Sequence, residues 1–342
     1  MTRKVTVALD AMGGDRGADV VVPAALATLA RDDSLNLILV GREEALGRAR
    51  KQAGDAYGYR LAFHEASEVV GMDESPIDSL RKKKDSSLRV AVDLVKSGSA
   101  DAVVSAGNTG ALMATAKYVL KTLPGIDRPA IIAAVPGVES RTFMLDLGAN
   151  VGCSAEHLLQ FGVMGSVVAA DILDKEQPRI GLLNIGAEDI KGHDVVREAS
   201  DLLAASPLNY VGFIEGDDIF FGDVDVVVSD GFTGNVSLKS MEGLARLVAR
   251  FLREEFARNP LRKLQGMVAL SALNAIRARL DTRRYNGATL VGLNGIVIKS
   301  HGGADAMAFG VAIDTAVIEA RKGLPVQIGR LFESEAYTCT RG

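Results

Sequence analysis

The chain has 342 residues, 48% of them apolar, with no tryptophan and a formal net charge of -4. That length can bury a large core and divide into two lobes. The charge gives no whole-molecule attraction to nucleic acid, and no run of eighteen apolar residues offers a membrane span.

Cys153 and Cys339 match no metal or redox spacing, and the four histidines form no zinc-ligand pattern. The composition therefore predicts a reduced, cytoplasmic α/β protein without a metal or other cofactor.

The opening residues lack the apolar core of a signal peptide, and Val5 to Leu9 reads as a first strand. It ends in Asp10-Ala-Met-Gly-Gly-Asp15, so Asp10, Gly13 and Gly14 form a small polar turn ahead of a helix carrying Val20, Val21, Ala24, Ala25 and Leu29. Leu35 to Val40 is a second strand and Tyr59 to His64 a weaker third. Arg81-Lys-Lys-Lys84 is a basic run, and Asp85-Ser-Ser87 caps a helix from Leu88 to Lys96. Strand and helix alternate almost to the end, which predicts a mainly parallel sheet with helices on both faces.

One stretch is written nearly twice. Asp101-Ala-Val-Val-Ser-Ala-Gly-Asn-Thr-Gly110 and Asp225-Val-Val-Val-Ser-Asp-Gly-Phe-Thr-Gly234 share Asp, Val-Val, Ser, Gly, Thr and Gly without a gap. Each is a buried strand, a polar loop and a helix start. Glycine lets a ligand approach the backbone, and the free N–H groups of a helix start suit an anion. Because ligands of such sheets sit at the carboxyl ends of strands, Asp10, Ser105 to Gly110, Asp146 to Asn150 and Ser229 to Asn235 are expected on one rim. The alternative is that Asp10, Asp146 and Asp230 only cap turns.

From Thr233 to Leu280 the pattern is helical, with Leu244, Leu247, Val248, Phe251, Leu252 and Phe256 on one face and a break at Asn259-Pro260. This predicts a basic helical hairpin over about 236–282, fit for an anionic surface, an acidic protein or a second subunit. Ile296 to Gly303 is a strand opening into a glycine turn, followed by a helix from Ala304 to Lys322. Residues 1–335 read as one two-lobed domain and 336–342 as a frayed tail.

No phosphate-binding P-loop, dinucleotide glycine pattern or serine-hydrolase elbow occurs. Ala-Leu-Asp10-Ala-Met-Gly-Gly-Asp15, Ser-Ala-Gly-Asn-Thr-Gly110, Leu-Asp-Leu-Gly-Ala-Asn150, Leu-Leu-Asn-Ile-Gly186, Asp-Gly-Phe-Thr-Gly-Asn235 and Lys-Ser-His-Gly302 occur in that order. Together they resemble the phosphate acyltransferases of bacterial phospholipid synthesis, over roughly residues 5 to 330. Thr-Gly-Asn235 and Gly-Leu-Asn294 through Ser-His-Gly302 are more distantly similar to phosphotransacetylases, with His301 where that group has an arginine.

The resemblance implies a phosphotransacetylase-like or isocitrate-dehydrogenase-like fold and transfer of a fatty acyl group from acyl carrier protein to inorganic phosphate. It also implies a cytoplasmic homodimer at the inner membrane surface, feeding a membrane-bound glycerol-3-phosphate acyltransferase. On this reading Asn108, Thr109 and Gly110, with Thr233, Gly234 and Asn235, hold phosphate for direct attack on the thioester. Asn235 or Lys299 steadies the oxyanion and His301 the departing thiolate. Asp10, Gly13, Gly14, Ser105, Asp146, Asn150 and Asp230 line the substrate site. Arg81, Lys82, Lys84, Arg258, Arg262 and Lys263 are expected to dock the acidic carrier protein. Ser105 or Ser229 as a covalent nucleophile is the weaker mechanism. The rival functions are a metal- and NAD-dependent decarboxylating dehydrogenase and a non-catalytic acyl-carrier-binding protein.

Overall fold

The structure, a computed structural model, describes residues 3–138, 141–188, 190–279 and 281–333. The expected frayed tail, with Cys339, lies outside them, as do Asp189 and Leu280.

The strands are β1 (Val5–Asp10), β2 (Leu35–Gly41), β3 (Leu61–Glu65), β4 (Ala102–Ser105), β5 (Ala130–Pro136), β6 (Arg141–Leu145), β7 (Ile180–Leu183), β8 (Tyr210–Ile214), β9 (Val226–Val228), β10 (Ala288–Val291) and β11 (Ile296–Lys299). They form one sheet in the order β3-β2-β1-β4-β11-β10-β5-β6-β9-β7-β8. The first half carries helices α1 (Ala18–Arg31), α2 (Glu43–Ala53), α3 (Pro76–Lys82), α4 (Ser87–Lys96) and α5 (Thr109–Leu120). Later in the chain come α6 (Ala155–Leu173), α7 (Asp194–Ala205), α8 (Asp218–Phe221), α9 (Gly231–Ala257), α10 (Pro260–Arg279), α11 (Ala306–Lys322), which returns to the first half of the sheet, and α12 (Leu324–Glu333).

Alternation along the strands sorts the core. Val5, Val7 and Leu9 of β1 face α1 and α11, whereas Ala8 faces the cluster built on α4 and α5. Across the sheet α6, α7 and α12 continue the first face. Leu238 and Met241 of α9 pack on the second. Helices therefore cover both faces, as the alternating pattern predicts.

Three successive antiparallel pairings, β11 with β10, β10 with β5 and β5 with β6, separate the two parallel halves. An odd number of reversals leaves β6, β9, β7 and β8 running opposite to β1, β2, β3, β4 and β11. The carboxyl ends of β4 and β9 thus point to opposite edges of the sheet. Five strand spacings of about 4.8 Å put them roughly 24 Å apart along it. This corrects the one-rim expectation, because strand direction cannot be read from an apolar run.

Helices α9 and α10 form the expected hairpin. At 27 residues, α9 is about 40 Å long, and its buried residues are Gly231 and Gly234 at its base. Further out, Leu244, Leu247 and Phe251 of α9 and Leu264, Met267 and Val268 of α10 stand exposed, Val268 at 82%. Among the described residues no helix is long and apolar enough to cross a membrane.

Candidate active site

Register brings three polar side chains into one row. Leu9 pairs with Val104, which sets Asp10 beside Ser105, and Ser105 pairs with Lys299. All three point to the α4–α5 face by the alternation of their strands. Asp10 is 1% exposed; its Oδ1 accepts from Ser87 Oγ at 2.6 Å and Met12 N–H at 3.2 Å, and its Oδ2 from Ser105 Oγ at 2.7 Å. Burial pushes its pKa up, and these hydrogen bonds pull against that. Ser87, expected only as part of a helix cap, thus completes the site floor. The cap itself is Ser86, whose hydroxyl accepts from Arg89 N–H at 3.4 Å.

Lys299 is buried at the end of β11 and donates to the carbonyls of Ala106, at 3.4 Å, and Ser300. Burial lowers its pKa to about 8; the charges of Asp10 and Asp15 oppose that shift, and that of Lys239 adds to it. Lys239, two turns into α9, is a site neighbour that nothing in its local sequence marks out.

The turns around this row are held by close backbone approach. A Cβ on Gly13 would lie 2.6 Å from Asp10 Oδ2 and 2.7 Å from Gly107 N. Gly14 sits at φ +88, where a Cβ would meet Ala106 and the Gly302 carbonyl at 2.9 Å. Gly302 in turn accepts from Asp15 N–H at 3.0 Å. His301 is exposed, and its Nδ1 accepts from Gly303 N–H at 3.1 Å, which assigns the proton of the neutral ring to Nε2.

Asn108 caps α5: its Oδ1 accepts from Ala111 N–H at 3.0 Å, while Nδ2 donates to the Met72 and Glu74 carbonyls at 2.7 and 3.0 Å. The cap thereby ties the 71–74 loop to the helix start. Among the described residues, the N–H groups of Asn108, Thr109 and Gly110 have no protein partner. The start of α5 is an open donor cluster beside Lys299.

The second copy has the same skeleton and a different outcome. Leu145 pairs with Val228, so Asp146 stands beside Ser229 as Asp10 stands beside Ser105. Asp146, fully buried, accepts from the N–H groups of Ile131, Gly148, Ala149 and Asn150 and from Asn150 Nδ2. Ser229 Oγ, without Asp146 to receive it, has no partner among the described residues. Gly231 N–H goes to Asn150 O, and Asp230 accepts from Phe232 and Thr233 N–H at 2.9 Å and, through its carbonyl, from Gly234 N–H at 2.9 Å. The α9 start is capped and its amides are occupied. The joint cradle expected of Thr233, Gly234 and Asn235 with α5 does not form, and Asp146, Asn150 and Asp230 hold a turn. Asn235 is exposed one helical turn before Lys239, with its side chain over Gly148.

Arg81 and Lys84 are exposed just beyond the 71–74 loop, and Lys82 is paired with Asp78 at 2.8 Å. Arg258 and Arg262 at the hairpin tip share Glu255, at 3.6 and 3.3 Å, and Lys263 is exposed beside them.

The family described as fatty acid synthesis protein matches residues 5–327. The phosphate acyltransferase of Alkalilimnicola ehrlichii is 62% identical over 334 residues, 98% of this chain and 98% of that one. The chain belongs to this family of phosphate acyltransferases. The phosphate acyltransferase of Methylococcus capsulatus is 58% identical, covering 95% of this chain and 96% of its own. In fold, the chain is similar to a phosphotransacetylase from Streptococcus pyogenes, with a TM-score of 0.63 at 21% identity over 93% of this chain and 94% of that one.

Proposed function

We propose that the protein moves a fatty acyl group from acyl carrier protein to inorganic phosphate, and that phosphate binds at the start of α5. The observation that carries this is the trio of unpartnered N–H groups at Asn108, Thr109 and Gly110 beside the buried Lys299. Helix-start donors and a nearby cation favour a dianion over water. A phosphate oxygen attacks the thioester carbon and forms the C–O bond as the carbonyl electrons move onto oxygen. Collapse of that intermediate breaks the C–S bond and releases the carrier thiolate, leaving acyl phosphate. Lys299 lends positive charge to the developing oxyanion, and His301 Nε2–H meets the thiolate; one such donor is worth about 3 kcal/mol. Thioester and acyl phosphate are both activated acyl groups, so no energy donor is needed. Lys239 reaches this row from the other half of the sheet.

The acidic carrier protein docks on Arg81 and Lys84, at the mouth beside the 71–74 loop, with Lys263 of the hairpin as a second contact. The apolar hairpin faces serve a homodimer and the inner face of the cell membrane, because exposed apolar area this contiguous marks an interaction surface. Product is then released beside a membrane-bound glycerol-3-phosphate acyltransferase. The deciding experiment offers palmitoyl acyl carrier protein with and without phosphate and traps acyl phosphate with hydroxylamine. Phosphate-dependent hydroxamate is the expected result. Binding without hydroxamate identifies a carrier-binding protein, and reduction of NAD by hydroxy acids a dehydrogenase.

A further inference from the structure

Asn286 belongs to none of the motifs above, and it stands where the helical hairpin returns to the body of the protein. After α10 the chain makes a 3-10 turn, Thr282–Tyr285, and reaches β10 through Asn286 and Gly287. Gly287, at φ +105, lets the backbone press on α11, where a Cβ would lie 2.9 Å from Ala312 Cα. The Asn286 side chain then reaches the loop after β11. Its Nδ2 donates to Ser300 Oγ at 2.9 Å and to Ala308 O at 2.8 Å, while its Oδ1 accepts from His301 N–H at 2.9 Å. Two donations and one acceptance from a single planar group require a carboxamide; a carboxylate cannot donate, and a hydroxyl has one proton. Arg283 strengthens the same junction. Its Nε and Nη2 hold Asp281, and its Nη1 donates to Asp305 at 3.0 Å, the residue that caps α11.

We propose that Asn286 is a positioning residue for acyl transfer. By fixing the His301 backbone it sets the direction of the His301 Nε2–H group and ties that direction to the foot of the hairpin. The inference rests on the reading of His301 as the group that meets the leaving thiolate. Misplacing a reacting group by about 1 Å costs up to 100-fold, so a partial release costs on the order of 10-fold.

Asn286→Ala is expected to lower kcat on the order of 10-fold and to leave KM for phosphate within about twofold, because the α5 start is untouched. In a His301→Ala background the same substitution should cause no further loss, since two members of one unit are not additive. Ser300→Ala, which removes one anchor of the carboxamide together with the long Ser300 Oγ to His301 O bond at 3.5 Å, should shift kcat in the same direction by roughly threefold and serves if Asn286→Ala fails to fold. Losses that multiply in the double variant, or a Ser300→Ala protein with unchanged kcat, overturn the positioning role alone. Unchanged kcat in His301→Ala overturns the role of His301 first, and Asn286 with it.

Discussion

Lys299 carries an ammonium into a place where water is scarce, held by two carbonyls. Its pKa, lowered to about 8 by burial, gives the site a pH limit of definite sign. As pH rises through about 8 the cation is lost, so kcat/KM for phosphate is expected to fall on the alkaline side. Lys299→Arg, which stays charged, should move that fall to higher pH, and Lys299→Met should abolish the limb at a lower activity. A pH–rate profile in which Lys299→Met keeps the wild-type limb refutes the assignment. Glu319 is the second titrating group to watch. Burial raises its pKa to about 8, Thr289 Oγ1 donates to it at 2.5 Å, and its Oε2 has no partner among the described residues. The folded chain holds this proton up to about pH 8 while the unfolded chain releases it near 4.5. Stability is therefore lost as pH rises between those values. Glu319→Gln should flatten the melting temperature over that window, and an unchanged slope speaks against it.

At the scale of elements, the two strand–loop–helix copies diverge on a few side chains. After β4 comes Asn108, whose single carboxamide oxygen caps one amide of α5 and leaves the others open. After β9 comes Asp230, whose two oxygens take Phe232 N–H, Thr233 N–H and Thr233 Oγ1. Asp230→Ala should cost about 1 kcal/mol of stability as a lost helix cap. It should leave KM for phosphate within about twofold, measured in the same preparation. Asn108→Ala should raise that KM roughly tenfold, because it frees both the helix start and the 71–74 loop. Equal effects of the two variants on KM would restore a shared cradle.

For the molecule as a whole, the odd number of sheet reversals sets the working arrangement. The open helix start and the hairpin helix approach the same face from opposite edges, so α9 brings Lys239 toward Lys299 while its far end extends into solvent. One long element then links the site to whatever the hairpin touches. Replacing Leu264, Met267 and Val268 together by Glu should release the protein from anionic lipid vesicles in a flotation assay. Flotation equal to that of the unaltered protein rejects membrane contact through α10.

The sequence by itself determined the alternation of strand and helix, the hairpin and most of the residues of the candidate site floor. Asp10, Ser105, Asn108 and Lys299 were legible because each ends a buried strand or starts a helix, and that role is written in local residue types. Tertiary structure decided which copy stays open. Asp230 takes amides two and three residues on, but the Ile131 N–H that holds Asp146 comes from 15 residues away, and Gly231 N–H reaches across to Asn150 O. It also chose Ser87, Lys239 and Asn286 as site neighbours, across separations of 77 residues from Ser87 to Asp10 and 15 from Asn286 to His301. Contacts at such range are set by strand order and direction, and periodicity along one segment carries no information about either.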